Sequence, residues 1–272
     1  MGYQIIASDL DGTLLTDDKR ISDENMAAIK ELTARGVHFV PSSGRTYGEI
    51  PSPVKDIPEV RYVIYSDGAG VYDKQTGDRI ETCMPQALVH QVLDILEQYD
   101  MTISMRYVGE CYIDENDSDD HYIHCQMDDA YREFLDTYAH PTANFRHFCR
   151  ELDRAEMMCA YFHSDDEREE CTRRINAIDG LQAMPSNPTN IEIFSADAGK
   201  GHALWKLADA LGIDRADTIA VGDTLNDIDN IRCAGLGLAM DNAMDALKAE
   251  ADAVICNNEE HAIAYILEHY IK

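Results

Sequence analysis

Tyr3-Gln4-Ile5-Ile6-Ala7-Ser8-Asp9-Leu10-Asp11-Gly12-Thr13-Leu14-Leu15 begins as an apolar run and breaks at two acids and a glycine. A short β-branched run bounded by a Gly turn reads as a buried core strand. Alternation about Leu10 lets Asp9 and Asp11 point to the same side. Two carboxylates so close repel each other unless a divalent cation, a shared proton, or both are present. Such a pair can do chemistry, one acid as ionised nucleophile and metal ligand, the other as proton donor and acceptor. Taken alone, Asp-x-Asp-Gly is also ordinary loop chemistry, because Asp and Gly are turn formers.

The rest of the chain removes that ambiguity. Thr218-Ile219-Ala220-Val221 is a second apolar strand, and it ends in Gly222-Asp223-Thr224-Leu225-Asn226-Asp227. In open α/β sheets the ligand crevice lies outside the carboxyl ends of the strands. Two such strands side by side bring Asp9, Asp11, Asp223 and Asp227 into one cluster, and hard oxygen ligands of that kind select Mg²⁺.

With these residues the chain resembles the haloacid dehalogenase-like hydrolases, and within them the Cof-type phosphatases (type IIB), whose C2B cap is an α/β insertion late in the core. The resemblance spans essentially the whole length and four motifs in the family's order: Asp9 to Thr13, Ser42-Ser43-Gly44-Arg45, Lys200 within Gly199-Lys200-Gly201, and Gly222-Asp223 through Asn226-Asp227. It implies a Mg²⁺-dependent phosphatase acting on a small phosphomonoester. Asp9 would attack phosphorus and carry the phosphoryl group as an aspartyl phosphate, dividing one displacement into two easier ones. Asp11 would protonate the leaving oxygen and then activate water, with its backbone carbonyl on the metal. Acid chemistry near neutrality asks for a raised pKa, which partial burial beside Asp9 could supply unless Mg²⁺ overrides it.

By the same resemblance Ser43 would hold a phosphoryl oxygen beside the amide of Gly44, and Lys200 would neutralise charge shared by Asp9 and the phosphoryl group. Asp223 would be a direct Mg²⁺ ligand with Asp9. Asp227 would act through water or by orienting Lys200, and Asn226 would donate to the phosphate. The residues themselves also permit a plain helix N-terminus over Thr224 to Asp227, since Thr, Asn and Asp cap well, and both readings can hold together. Gly44 and Arg45 open a turn after the strand Val37 to Val40, where free backbone amides would favour an anion.

Composition fits a soluble enzyme. With 272 residues and 45% hydrophobic content, the chain can bury a substantial core in one large or two smaller domains. A formal charge of -28 argues against nucleic acid or an anionic membrane as a partner. Neither a bilayer-spanning apolar run nor a secretory leader is evident. The eight cysteines form no CxxC pair and read as free thiols in a reducing compartment, hence a cytoplasmic location.

The order of elements predicts an α/β fold, a doubly wound parallel sheet with a smaller inserted α/β cap. Ser22 caps a helix running through Leu32, and Gly36 precedes the strand Val37 to Val40. Tyr62 to Ser66 is a third strand. Asp67-Gly68-Ala69-Gly70 then turns into a hairpin carrying Val71-Tyr72 and Ile80 to Met84. The α/β rhythm resumes with Ile191 to Phe194, a helix Lys200 to Leu211 with Gly212 after it, the strand Thr218 to Val221, a helix after Asn226, Leu238 to Met240, Val254-Ile255 and a closing helix. We therefore assign residues 1–84 and 190–272 to the core and 85–189 to the cap, which has no lysine and would set substrate choice as a lid.

Three features of the insertion admit other readings. His121-x-x-His124-Cys125 has part of a zinc signature, but no fourth ligand is evident and its acidic flanks read as an exposed loop. The run Asp114 to Asp120 lacks the Gly and terminal Glu of a calcium loop and reads as a solvated face. Tyr107, Tyr112, Tyr122, Tyr131 and Phe134 could line a pocket, although core packing suits most of them. The chain departs from the resembled family at Asp67, where Asn is common, and at His261, where Gly is common. A charged Asp67 facing the substrate would disfavour a second phosphate and favour a hydroxyl-rich or cationic group. Two other functions share these residues: a phosphomutase using the same intermediate, and a non-catalytic sensor of a phosphorylated metabolite.

Overall fold

The computed structural model describes residues 2–272. They divide into two compact units, one built from residues 2–45, 50–80 and 199–272, the other from 46–49 and 81–198.

In the first unit the opening strand, Ile5–Ser8, lies within a five-stranded parallel sheet. Its neighbours are Thr218–Gly222 on one side and His38–Pro41 on the other, with Leu236–Ala239 and Ala253–Val254 beyond the former. Ile5, Ala7, Val40 and Ala220 turn one face onto Ala203, Leu204, Leu207 and Ala208 of the helix Lys200–Leu211. Leu204 and Leu207 are fully buried there, about 1.5–3 kcal/mol each. That helix ends as expected at Gly212, which takes the left-handed conformation (φ 68°) a C-terminal cap requires. Ser22 caps the helix Asp23–Ala34 by accepting from the Asn25 amide at 3.2 Å. The buried Asn25 side chain in turn accepts from the amides of Ile263 and Ala264, tying this helix to the start of the closing helix Ala262–Tyr270.

The strand Tyr62–Tyr65 joins the sheet through a single parallel bridge between Ser42 and Ile64. It pairs antiparallel with Gly70–Asp73, so the hairpin around Asp67-Gly68 begins one strand earlier than the sequence pattern suggests. Apolar strands on both sides of a turn compete equally well for it.

The second unit holds a six-stranded sheet in the order Leu181–Met184, Asn190–Ser195, Met157–Phe162, Met101–Tyr107, Glu110–Asp114, Ala139–Thr142. Met101, Ile103 and Met105 alternate with Thr102, Ser104 and Arg106, so the first set faces a core shared with the helices Gln86–Leu96, Phe145–Glu151 and Asp165–Ile175. On the other face Cys111, Cys159 and Tyr161 pack against Tyr122, Cys125, Met127 and Leu135.

Two expectations are corrected here. The strand Asn190–Ser195, assigned from sequence to the core sheet, pairs antiparallel with Met157–Phe162 (Met158 opposite Ile193). The inserted unit therefore runs from 81 to 198 rather than 85 to 189. An apolar strand carries no mark of which sheet will bury it. The acidic stretch and its sequel are not a loop throughout: Ser118 caps a helix Asp119–His124, and Asp128 caps Asp129–Tyr138. Their few apolar side chains form one narrow face, which a composition dominated by acids conceals. Of the five aromatics, Tyr122 is buried, Tyr107 and Tyr112 pack against the main core of this unit, and Tyr131 and Phe134 line an open hollow of about 360 Å³ with Tyr161, Asn187 and Asn190.

Candidate active site

Parallel pairing in register, with Ser8 beside both Val221 and Pro41, brings three strand ends together. Asp9 extends the ladder by donating its amide to the Val221 carbonyl at 3.0 Å. Carboxylate oxygens of Asp9, Asp223 and Asp227 then lie within 4.8 Å of one another. Glycine makes this convergence possible at two points. A Cβ on Gly12, which sits at φ 78°, would come within 2.3 Å of the Asp223 carboxylate, and one on Gly222 within 2.3 Å of Asp227.

Lys200 starts its helix fully buried and donates to Asp9 Oδ1 and Asp227 Oδ1, both at 2.7 Å. Burial opposes its charge, but the Asp227 and Asp9 carboxylates outweigh that and hold the ammonium protonated, its pKa well above the usual lysine range. The second oxygen of Asp227 accepts from the amides of Asp223 and Thr224 at 3.1 and 3.2 Å. Asp227 thus holds Lys200 through one oxygen and two backbone amides through the other, and it also closes the capping box at Thr224. Burial, with the neighbouring Asp227 charge second, pushes the Asp223 carboxyl up to about 6. Burial likewise raises Asp9 well above the usual carboxylate range, against the pull of Lys200. Converging acids that resist ionisation in this way are a donor set suited to a hard divalent cation, and Asp9 and Asp223 fit the part.

Asp11 departs from the expectation of a raised pKa. Its half-exposed carboxylate belongs to a different set of contacts, accepting from Arg45 Nε at 3.0 Å and Lys19 Nζ at 2.8 Å. Partial burial pushes the carboxyl up, but these two cations outweigh it and leave the pKa lowered. Sequence reasoning named Arg45 but not Lys19, because a lysine eight residues away in a turn carries no signal of its own.

In the second motif, Ser43 is buried and its Oγ accepts from the Arg45 amide at 3.2 Å, so that amide is engaged rather than free for an anion. Asp67, buried and in a left-handed conformation (φ 47°), donates its amide to the Ser43 carbonyl and lies against Gly44. Its carboxylate accepts from Asn226 Nδ2 at 3.0 Å. The departure at Asp67 therefore falls within the cluster, and Asn226 has an anionic partner already. Two further residues brace the site: Thr13, which the first motif includes without a role of its own and whose hydroxyl donates to Asp223 Oδ1 at 3.2 Å, and Asn242, not anticipated from sequence, whose amide donates to the Gly12 carbonyl at 2.8 Å. His261 occupies a left-handed position (φ 65°), which accounts for glycine being the usual occupant.

A family model described as haloacid dehalogenase-like hydrolase matches residues 6–267. The chain is 28% identical over 273 residues to 5-amino-6-(5-phospho-D-ribitylamino)uracil phosphatase YcsE of Bacillus subtilis, covering 98% of this chain and 96% of that protein. It is similar to a solved haloacid dehalogenase-like hydrolase from B. subtilis, with a TM-score of 0.81 and 27% identity over 98% of this chain and 99% of the other. The subclass IIB sugar phosphatase BT4131 shares the fold, with a TM-score of 0.81 at 19% identity over 98% of each chain. No helix among the described residues is long and apolar enough to cross a membrane, and all eight cysteines are free.

Proposed function

We propose that this chain, which belongs to the haloacid dehalogenase-like hydrolases and is a phosphatase of that family, works as a Mg²⁺-dependent phosphomonoesterase through an aspartyl phosphate on Asp9. The observation that carries the reading is the buried Lys200 ammonium, 2.7 Å from Asp9 within a group of three converging carboxylates. An ordinary structural ion pair has no need of the two further acids. Asp9 and Asp223, with the backbone carbonyl of Asp11, would hold the cation; when bound, Mg²⁺ supplies positive charge that offsets the repulsion between a carboxylate nucleophile and a phosphate dianion.

The chain's own residues then divide the work. Lys200 aims Asp9 and opposes the burial that keeps it protonated, so that with the cation bound Asp9 would be ionised, and Asp227 fixes Lys200. A carboxylate oxygen of Asp9 bonds to phosphorus as the bond to the leaving oxygen breaks, and Asp11 gives that oxygen its proton. Water next attacks phosphorus, Asp11 takes the water's proton, and the bond from Asp9 to phosphorus breaks to release inorganic phosphate. For Asp11 to carry a proton near neutrality it has to be freed from Arg45 and Lys19, and an incoming phosphate is the competitor for those two cations. Ser43 and Asn226 are the neutral donors beside it.

The substrate is a small phosphorylated metabolite, a sugar phosphate or a phosphorylated cofactor such as pyridoxal phosphate, handled in the cytoplasm. The named activities of the relatives, on a phosphoribityl compound and on a sugar phosphate, support that class. Phosphate release from a panel of sugar phosphates, nucleotides, pyridoxal phosphate and an aryl phosphate, each with Mg²⁺ and with chelator, tests it. Release should require the metal and vanish in Asp9→Asn while the circular dichroism spectrum stays unchanged. An Asp9→Asn enzyme of near-normal activity would refute the proposed nucleophile, and transfer of phosphate to a second sugar hydroxyl without free phosphate would make the protein a mutase.

A further inference from the structure

The inserted unit carries a second group of ligating side chains that the phosphatase chemistry does not use. Asp100 leads into the strand Met101–Tyr107, and His121, His124 and Cys125 close the helix Asp119–His124. Ligand atoms of Asp100, His121 and Cys125 lie within 4.8 Å of one another. The Asp100 carboxylate is shared: Oδ2 lies 2.7 Å from His124 Nε2, while Oδ1 lies 4.0 Å from His121 Nε2. Edges between ligands in a tetrahedral zinc site are about 3.3–3.8 Å, from metal–ligand bonds of roughly 2.0–2.3 Å. Side-chain rotation of under about 1 Å would bring this set to that spacing.

The surroundings are arranged as the outer shell of a metal site would be. His121 Nδ1 lies 3.1 Å from Asp117 Oδ1, and Asp117 Oδ2 also accepts from the Thr102 hydroxyl at 2.5 Å. An ionised carboxylate can only accept, so Nδ1 donates to Asp117, which leaves Nε2, the nitrogen that faces Asp100, as the one a metal would take. A carboxylate behind a histidine is what fixes the ring and raises its basicity in metal sites. Cys125 forms the buried floor, and the Thr102 amide donates toward its sulfur. The His124 ring stacks on His163 at 3.9 Å and 8°, and His163 Nδ1 bonds the His124 carbonyl at 3.0 Å. Gln126, in a left-handed conformation immediately after Cys125, reaches the His163 carbonyl and closes the turn.

We propose that Asp100, His121 and Cys125 bind a divalent transition metal of the zinc class, with water in the fourth position, Asp117 orienting His121 and His124 holding the second oxygen of Asp100. One thiolate, one imidazole and one carboxylate are a donor set for Zn²⁺ or Co²⁺ rather than for Mg²⁺ or Ca²⁺, which take oxygen ligands. Binding converts the Cys125 thiol to thiolate and releases its proton to solvent. The bound ion would link the head of the strand Met101–Tyr107 to the C-terminal end of the helix Asp119–His124 and keep one position open to water.

Titration of the metal-stripped 272-residue protein with Co²⁺ in a large excess of Mg²⁺ tests this, because the excess saturates the all-oxygen site. The expected result is a thiolate-to-cobalt charge-transfer band with tetrahedral ligand-field bands, saturating at one equivalent and discharged by Zn²⁺. Cys125→Ser should abolish the charge-transfer band, and Asp100→Asn and His121→Ala should each weaken binding at least tenfold. Those two positions are solvent-accessible, so their variants give a reading even where Cys125→Ser fails to fold. Absence of the band, its survival in Cys125→Ser, or affinities unchanged in Asp100→Asn and His121→Ala would each overturn the proposal.

Discussion

Replacing Lys200 by Met exchanges a buried cation for an apolar side chain of similar length and leaves two carboxylates without their counterion. Lys200 has no exposed surface, and its two ion pairs to Asp9 and Asp227 are both 2.7 Å long. Removing one partner of a buried pair costs about 3–5 kcal/mol, because the other charge is stranded. For a chain of this size that corresponds to a fall in Tm of roughly 6–20 °C. The loss should depend on pH, and the sign follows from Asp9. Its folded pKa already lies above its ordinary value and rises further without Lys200. The folded state therefore keeps a proton that the unfolded chain has released, so stability falls as pH rises from about 4 through the folded pKa, by up to about 1.4 kcal/mol per pH unit for one proton. Thermal melts in chelator at pH 5 and pH 8 should show Lys200→Met much closer to wild type at pH 5. Adding Asp227→Asn should recover part of the loss at pH 8, since it removes one stranded charge. A Lys200→Met protein melting within 2 °C of wild type at pH 8, roughly 0.5–1 kcal/mol, would refute the reasoning, as would a loss that is the same at both pH values.

With the Asp223 carboxyl pushed up to about 6, its protonation stabilises the metal-free fold below about pH 4, and that stability is lost as pH rises through 6; Mg²⁺ should therefore raise Tm more at pH 7 than at pH 5 in differential scanning fluorimetry. Gly12→Ala would place a Cβ 2.3 Å from the Asp223 carboxylate at a positive φ, so the apparent Mg²⁺ affinity and the rate should both fall at least tenfold, measured as phosphate release against Mg²⁺ concentration. Asp67→Asn removes a buried negative charge beside Gly44 and Asn226, and inorganic phosphate should inhibit that variant several-fold more tightly than wild type, because the like-charge repulsion at close range in a medium of low dielectric is gone.

The sequence by itself determined the core and the acids at its strand ends. The run Ile5 to Ser8 and the run Thr218 to Val221 can be satisfied only as buried strands, so Asp9 and Asp223 had to emerge where those strands stop, and the structure sets the strands side by side. Lys200 was legible from its place between motifs, and Gly212 and Ser22 from the backbone chemistry of helix ends. Only the tertiary structure decided which partners each charge would take. Asp11 turned to Arg45 and Lys19 instead of to Asp9, Asp67 took the amide of Asn226, and Asn190–Ser195 joined the antiparallel sheet of the inserted unit. Asp100 came to lie against His121 and Cys125 across a loop that the sequence reads as solvated acid. The division has one physical cause. Strand and helix signals come from neighbours along the chain, whose spacing the covalent backbone fixes, whereas an ion pair or a ligand set is selected by packing between residues far apart in sequence, which no local pattern encodes.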